Sequence, residues 1–213
     1  MTARFTDSTV IITGAGSGLG QATAERLAAE GANLVLVDMN AEGLEATKKL
    51  VTTAAPEARV ELITADVTRP EDVENYVQAT VKTFGSIDGF FNNAGIEGAQ
   101  NLTEEFGTEE FAKVIAVNLN GVVGLTREYG QFGIRINAIA PGAIMTAMVE
   151  NSLKQMDPDN WEAASEQFVS VNPMKRFGKP EEVAGLVSFL LSEDAGFING
   201  TVVPIDGGQH AMY

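Results

Sequence analysis

The sequence predicts an α/β protein built on a doubly wound parallel sheet. Short apolar runs alternate with helical patterns in the first half of the chain, which is typical of repeated β-α-β units. A glycine-rich turn follows the first run, and later runs end at acidic or amide residues, where ligands bind in such sheets. Because each run is apolar throughout, we expect strands buried on both faces. The runs are Val10–Ile12, Leu34–Val37, Val60–Ala65 and Gly89–Asn92.

Size and composition predict a single domain over residues 1–213. Apolar residues make up 45% of the chain, enough for one sizeable core, and no apolar run approaches the ~18 residues of a membrane span. The net charge of −15 disfavours nucleic acid and anionic membranes, since both bind basic surfaces. Without cysteine the chain forms neither a disulfide nor a thiolate metal site, and no metal site is predicted. We expect a cytoplasmic protein with a small-molecule substrate.

The first strand leads into the segment TGAGSGLG, residues 13–20. Gly14, Gly18 and Gly20 have the spacing G-x-x-x-G-x-G, and the following helix is predicted to end at Gly31. Such a turn directs free backbone N–H groups and a positive helix end at one point, which suits a phosphate. Glycines let the backbone approach a pyrophosphate that a Cβ would block. The same pattern also occurs as a tight strand–helix turn without a ligand.

Asp38 ends the second predicted strand, about 20 residues beyond the glycines. An acid at this position binds the adenosine ribose hydroxyls of a dinucleotide, and the alternative is a solvated carboxylate at a strand end. Residues 15–18 and 39–40 contain no Lys or Arg, which a 2′-phosphate would require. The sequence therefore favours NAD over NADP.

The next elements repeat this arrangement. The carboxyl ends of parallel strands lie at one edge of a sheet, so we expect Asp38, Asp66 and Asn93 to lie close together. The elements between them are a helix over Ala41–Ala54, a strand ending at Asp66-Val67, a helix from Pro70 to Gly85, and a strand preceding Asn93-Ala94-Gly95.

The helix that begins near Thr108 carries an apolar stripe that includes Phe111, Val114, Ile115 and Val122. Asn118 falls on this stripe, so we expect it to be buried and hydrogen-bonded, because an unpaired buried amide costs about 1–3 kcal/mol. A structural and a functional role are both open. The last third is predicted to contain a strand over Ile134–Ala140, a loop over Pro141–Thr146, helices over Asp157–Val171 and Pro180–Leu191, a strand over Thr201–Ile205, and an exposed His210.

Together these segments resemble the short-chain dehydrogenase/reductase family, from about Thr9 to Gly208. The motifs are TGAGSGLG (13–20), NNAG (92–95), VNLNG (117–121), RINAIAPG (135–142) and PIDGG (204–208). The resemblance implies a Rossmann fold, a homo-tetramer, and an oxidoreductase that transfers a hydride between NAD or NADP and a secondary alcohol or ketone. The runs FFNNAGIEG and TVVPIDGGQ are similar to members that reduce cyclic ketones or diketones, which would be the substrate class here.

The resemblance also implies a role for each matching residue. The pyrophosphate would be held by Gly14, Ser17, Gly18, Leu19 and Gly20. At the adenosine end, Asp38 would bind the ribose, Asp66 and Val67 would bind the adenine, and Met39 is a further cofactor-binding residue. The nicotinamide end would be held by Asn93, Ala94, Gly95, Pro141, Gly142, Ile144 and Thr146. Asn118 matches the family's catalytic asparagine, which orders a water in a proton relay. Candidates for the substrate pocket, each with ordinary packing as the alternative, are Glu97, Met145, Met148, Val149 and Trp161.

The sequence departs from the family where its catalytic serine and Tyr-x-x-x-Lys pair are expected. Tyr76 is followed at the fourth position by Thr80 and Tyr129 by Gly133, and Tyr213 is the last residue. Around residues 121–127 the chain lacks roughly 40–50 residues, which would form the fifth strand and adjoining helices. Either the printed sequence joins stretches that are separate in the natural protein, or the segment is deleted.

Three functions are compatible with the sequence. If the natural protein contains the missing segment, it is an NAD-dependent oxidoreductase of the family that the sequence resembles. A chain that truly lacks it supports a non-catalytic dinucleotide-binding protein. A methyltransferase is the third, because a glycine turn and an acid after the second strand also suit S-adenosylmethionine, although NNAG and the Pro141-Gly142 loop disfavour it.

Overall fold

A computed structural model describes residues 3–97, 107–118 and 133–212. The strands are β1 (Thr9–Thr13), β2 (Asn33–Asp38), β3 (Val60–Thr64), β4 (Gly89–Phe91), β5 (Ala138–Pro141) and β6 (Val202–Ile205). The helices are α1 (Gly18–Ala29), α2 (Ala41–Ala54), α3 (Pro70–Phe84), α4 (Thr108–Asn118), α5 (Ala147–Met156), α6 (Trp161–Val169) and α7 (Pro180–Leu191), with short 3₁₀ turns at Glu193–Ala195 and Gln209–Met212. Three features of the sequence prediction, Val122, Tyr129 and the join at 121–127, lie outside the described residues.

The first four strands form the parallel sheet that the alternating pattern predicts, and their order in it is β3-β2-β1-β4. All of β1 and the four central residues of β2 are buried, which confirms strands covered on both faces. Successive side chains of a strand point to opposite faces. Ile12 therefore packs with α1 and α2, whereas its neighbour Ile11 packs on the other face with Tyr76 of α3. This arrangement is the doubly wound fold.

A buried carboxylate ties α1 to α7. Glu30, which follows α1, accepts a 2.7 Å hydrogen bond from the Ser188 hydroxyl of α7 and pairs with Arg26. Burial raises the pKa of Glu30, but the hydrogen bonds from Ser188 and Arg26 outweigh it and hold the pKa below its usual value. The charged form therefore persists in the interior and joins two helices on the same side of the sheet.

The two strands of the last third pair with each other in a separate parallel sheet. Helix α7 packs against both sheets through Val183 and Val187, in a cluster that contains Phe91 of β4 and Ile139 of β5. Among the described residues no strand lies between β4 and β5, and Phe90 of β4 is 39% exposed. The sheet is thus interrupted where the sequence predicts a missing strand.

The last third of the structure corrects two predicted elements and adds one helix. The strand expected over Ile134–Ala140 is the shorter β5, because side chains replace the strand pairing before it: Asn199 accepts from the Ile136 N–H, and Asn137 binds Ile198 and Thr201. Helix α5 was not predicted at all; the Thr146 hydroxyl caps it by accepting from the Val149 N–H. The helix expected over Asp157–Val171 is the shorter α6, since residues 157–160 form a turn.

Candidate cofactor-binding site

The glycine turn between β1 and α1 has no room for a side chain at Gly14 or Gly20. A Cβ on Gly20 would lie 2.2 Å from the Gly14 carbonyl oxygen, and one on Gly14 would lie 2.9 Å from the Ala94 Cα. Gly14 and Gly18 also have positive φ angles of 64° and 56°, which favour glycine. Within the described residues the Ser17 side chain makes no capping bond to α1. The first backbone N–H groups of α1 therefore remain available to an anion.

The Asp38 carboxylate bonds directly to this turn. Its Oδ2 accepts from the Gly16 N–H at 2.9 Å, and its Oδ1 accepts from the Asn40 N–H at 2.9 Å. A carboxylate oxygen can accept more than one hydrogen bond, so both oxygens keep capacity for a donor from a ligand. Met39, the next residue, is exposed. The end of β2 and the glycine turn thus form one continuous surface.

Asp66 lies next to this surface, because the Ala65 N–H donates to the Asp38 carbonyl oxygen at 3.1 Å. Its carboxylate accepts from the Thr68 hydroxyl at 2.7 Å and from the Thr68 N–H at 2.9 Å, and these bonds lower its pKa. The Asp66 N–H in turn donates to Asp72 at 3.0 Å. Asp66 therefore orders the turn between β3 and α3, beside the half-buried Val67.

Asn93 closes the other side of the glycine turn. Its side-chain amide donates to the carbonyl oxygens of Thr13 at 3.0 Å and Gly14 at 3.3 Å. The buried Thr13 hydroxyl accepts from the N–H groups of Asn93 at 3.0 Å and Ala94 at 3.1 Å. Sequence reasoning did not single out Thr13 as a positioning residue, although a hydroxyl at the end of the first strand was a visible signal. The proximity predicted for Asp38, Asp66 and Asn93 is consistent with these contacts around the turn.

Asn118 is exposed, so the prediction that it lies on a buried face is wrong. The described residues cover the apolar stripe of α4 only in part: the helix has no fully buried residue, Val114 and Ile115 are half-buried, and Phe111 is 56% exposed. The prediction that Asn118 has hydrogen-bond partners is confirmed, however. Its amide oxygen accepts from the Ile96 N–H and its amide nitrogen donates to the Ile96 carbonyl oxygen, both at 2.9 Å. The side chain therefore holds the loop that follows Gly95.

The loop over Pro141–Thr146 faces the glycine turn. The Gly142 N–H donates to the Ile205 carbonyl oxygen at 3.0 Å, which fixes the start of the loop on β6. Ile144 is buried in a cluster that Leu19 of α1 also joins. At the end of the loop, a Cβ on Gly18 would lie 3.7 Å from the Thr146 methyl carbon. The structure thus brings together the segments that the sequence assigns to the pyrophosphate and to the nicotinamide.

The candidate substrate-pocket residues lie on and around α5. The Ser152 hydroxyl of α5 donates to the Glu97 carboxylate, which joins this helix to the loop after β4. Met148, on the first turn of α5, is exposed, and Val149 makes the capping bond to Thr146. Trp161 lies under the Lys154 ammonium group, 5.0 Å from the ring centroid, and so packs between α5 and α6.

Tyr76, the one tyrosine within the described residues, is not placed for proton transfer at this site. It is buried on the face of the sheet opposite to α1 and α2, and it packs near Phe90, with ring centroids 6.2 Å apart. Burial raises its pKa, whereas a general acid working near neutrality needs a lower one. In the described part of the chain we find no cluster of three or more metal-binding side chains and no helix able to cross a bilayer.

Comparison with known proteins gives a consistent family. Residues 8–129 match the short chain dehydrogenase family, and residues 124–210 match a family described as enoyl-(acyl carrier protein) reductase. A levodione reductase from Leifsonia aquatica is 52% identical, with 100% of this chain and 97% of the relative covered. A cyclohexanol dehydrogenase from an Acinetobacter strain is 34% identical, with 97% and 96% covered.

Solved structures agree with these sequence matches. The crystal structure of levodione reductase superposes with a TM-score of 0.94 at 52% identity, covering 99% of this chain and 100% of the other. The structure of an NAD⁺-bound xylitol dehydrogenase gives a TM-score of 0.88 at 28% identity, covering 96% and 100%. These structures confirm the predicted Rossmann-type fold.

Because the family match covers more than half of the chain and the relatives cover nearly all of it, the chain belongs to the short chain dehydrogenase family and is an oxidoreductase that uses a nicotinamide cofactor.

Proposed function

We propose that the cofactor is NAD, bound in extended form across the carboxyl edge of the sheet. The pyrophosphate lies on Gly14, Ser17, Gly18, Leu19 and Gly20, and the adenosine lies on Asp38, Met39, Asp66 and Val67. The nicotinamide half lies against Asn93, Ala94, Gly95, Pro141, Gly142, Ile144 and Thr146. The observation that carries this proposal is the Asp38 carboxylate, which bonds to Gly16 inside the glycine turn and keeps lone pairs for ribose hydroxyls.

The same carboxylate supports NAD over NADP. A 2′-phosphate on the adenosine ribose would be brought against the negative charge of Asp38, which costs binding energy. A compensating cation would have to come from residues 15–18 or 39–40, and these contain no Lys or Arg. We therefore expect NADH to bind at least about tenfold more tightly than NADPH.

We propose that the substrate is a cyclic secondary alcohol or ketone. This class is named by the levodione reductase and the cyclohexanol dehydrogenase to which the chain is similar. Met145, Met148 and Val149 supply apolar side chains near the nicotinamide half of the site, and Glu97 and Trp161 are polar and aromatic candidates beside them. An alicyclic ring suits an apolar wall with few polar groups.

The bound nicotinamide would supply or accept the hydride at C4. The residues of this chain would hold it and orient it: Asn93 keeps the loop after β4 on the glycine turn, and Asn118 fixes the backbone of Ile96. We propose that Asn118 contributes to the reaction by this positioning. A proton donor for the carbonyl oxygen would come from the segment that the sequence lacks, which we propose is present in the functional protein.

An alternative follows from the missing Tyr-x-x-x-Lys pair. A chain that truly lacks this segment binds the dinucleotide without turning over a substrate. Intact-mass measurement decides between the two, because a mass of 22.6 kDa means that the segment is absent, and a mass several kDa higher means that it is present. Two further expectations stay predictions, a cytoplasmic location and a homo-tetramer.

The proposed cofactor and substrate are tested on protein of verified mass. NADH and NADPH are titrated by nicotinamide fluorescence, and cyclohexanol and cyclic diketones are then screened for turnover with NAD⁺ or NADH. Equal affinity for NADH and NADPH would contradict the role of Asp38. Turnover of open-chain alcohols alone would contradict the proposed substrate class.

A further inference from the structure

The loop over Pro141–Thr146 is held by a backbone pairing with a distant glycine. The Gly178 N–H donates to the Ala143 carbonyl oxygen at 2.8 Å, and the Met145 N–H donates to the Gly178 carbonyl oxygen at 3.0 Å. Ile144 lies between these two bonds in a parallel bridge with Gly178. The conformation of the loop therefore depends on where Gly178 is held.

Gly178 fits closely against Ile144. A Cβ at this position would lie 2.5 Å from the Ile144 Cδ1. Ile144 is itself buried against Val183 and Val187 of α7. The loop, the Gly178 backbone and the first turns of α7 therefore form one packed unit, in which a shift of Gly178 moves Ile144 as well.

An ion pair fixes Gly178 relative to α7. The two guanidinium nitrogens of Arg176 donate separately to the two carboxylate oxygens of Glu182, both at 2.8 Å. The same Glu182 accepts from the Lys179 N–H at 2.8 Å, and Arg176 also donates to the Phe177 carbonyl oxygen at 2.9 Å. These bonds lie on both sides of Phe177 and Gly178 and tie the turn to the start of α7.

The pair lies at the surface, where an ordinary ion pair contributes little to overall stability. Its side chains are 44% and 42% exposed, and the median exposed pair contributes about 0–1 kcal/mol. The Arg176–Glu182 pair differs in geometry, since a forked guanidinium–carboxylate contact fixes direction as well as distance. Its consequence is local order in the turn rather than global stability.

We infer that Arg176 and Glu182 are positioning residues that hold the Pro141–Thr146 loop in the conformation that receives the nicotinamide half of the cofactor. This inference rests on the proposed binding of NAD. The pair touches no proposed cofactor contact directly and acts through Gly178. Breaking it lets the loop sample other conformations, and the apparent Kd then rises by the inverse of the fraction still competent to bind.

A merely structural role at the helix start would act differently. Glu181 and Glu182 both lie in the first turn of α7, where either charge stabilises the helix through its dipole. Glu181→Gln therefore removes the same dipole interaction without touching the turn, which makes it a matched control. Arg176→Lys keeps the charge but loses the fork, so it should behave like Glu182→Gln rather than like wild type.

The experiment compares NADH with ADP-ribose, which has the same adenosine and pyrophosphate but no nicotinamide. If the loop is competent for one fifth of the time in Glu182→Gln, the NADH Kd rises about fivefold, while the ADP-ribose Kd changes less than about twofold. Glu181→Gln leaves both constants within about twofold of wild type. Hydrogen exchange of the Met145 and Gly178 amides should accelerate in Glu182→Gln and in Arg176→Lys but not in Glu181→Gln, with the exchange of β1 amides unchanged.

The outcomes separate the two proposals. If the Kd values for NADH and ADP-ribose rise equally in Glu182→Gln, or if Glu181→Gln and Glu182→Gln change them equally, the positioning role is wrong. Neither result contradicts the proposal that the protein binds NAD. Wild-type protein that binds neither ligand overturns the proposed function, and the positioning role with it. Faster exchange at Met145 with an unchanged NADH Kd shows that the loop is ordered by the pair but does not hold the nicotinamide, which also refutes the inference.

Discussion

Replacing Asp38 by asparagine separates the two functions that the structure combines in one carboxylate. One function is local, since the two oxygens accept from the Gly16 and Asn40 N–H groups at 2.9 Å. The other is the proposed contact with the adenosine ribose. Asparagine keeps the size and one acceptor oxygen, which can still serve Gly16. Alanine would remove both acceptors and leave two backbone N–H groups unpaired, so it is the less informative variant.

The magnitudes follow from the bonds that change. Asparagine loses the acceptor for the Asn40 N–H, but this bond is exposed and water can replace the carboxylate, so the loss should be only about 0.5–1.5 kcal/mol and the melting temperature should fall by about 1–6 °C. A ribose hydroxyl bonded to a charged carboxylate is worth about 1.5–3 kcal/mol, so the NADH Kd should rise about 10- to 150-fold. The NADPH Kd should stay constant or fall, because the charge that repels a 2′-phosphate is gone.

The assay is a fluorescence titration of Asp38→Asn and wild type with NADH and NADPH, beside a thermal melt of each protein. The ratio of the two Kd values is the decisive quantity, because a general loss of folding changes both in the same direction. An unchanged ratio refutes the ribose contact. A melting temperature lowered by more than about 10 °C would show instead that Asp38 mainly holds the fold together.

Three further predictions concern residues that shape the site. Gly20→Ala should lower the free energy of unfolding by about 1–3 kcal/mol, because its Cβ would meet the Gly14 carbonyl oxygen at 2.2 Å. The control Gly185→Ala in α7, whose Cβ would lie 3.8 Å from the Arg26 guanidinium, should be neutral or stabilising in urea unfolding. Thr13→Val should lower the melting temperature by roughly 2–10 °C, because the N–H groups of Asn93 and Ala94 lose a buried acceptor. An unchanged melting temperature would mean that water replaces the Thr13 hydroxyl. The Arg176 guanidinium lowers the pKa of Glu182 from 4.5 to about 2, so the stabilisation that the Glu182 carboxylate gives the folded state is complete above about pH 4.5 and is lost as the pH falls towards 2. The difference in urea midpoint between wild type and Glu182→Gln should therefore shrink on acidification, and a difference that grows would contradict this sign.

The elements next to the glycine turn could be predicted because their signals are local. Continuous apolar runs in β1 and β2 predict strands covered on both faces, and both are buried as expected. Proline and acids at the start of α3 and α7 predict where those helices begin, and both begin at the proline. Each signal lies within a few residues of the element that it specifies.

The elements that could not be predicted depend on side chains that meet across the fold. Strand β5 is shorter than its apolar pattern because Asn199 and Asn137 bind the backbone before it. Asn118 lies on an apolar stripe that the described residues cover only in part; it is exposed, and its amide binds Ile96. A periodic pattern says which face of a helix is apolar, and only its neighbours decide whether that face is buried.

Residue types and short spacings were enough to identify the class of the protein and the residues of its site: the glycines of residues 13–20, an acid at Asp38, and the absence of a Tyr-x-x-x-Lys pair. The chain carries these properties in any conformation. Which groups hold the site in shape depends instead on how the elements pack. The Thr13 hydroxyl on the loop after β4, and Gly178 on the Pro141–Thr146 loop with Arg176 and Glu182 behind it, join residues that are distant along the chain. No local pattern records such a contact, because it exists only once the sheet and α7 have packed together.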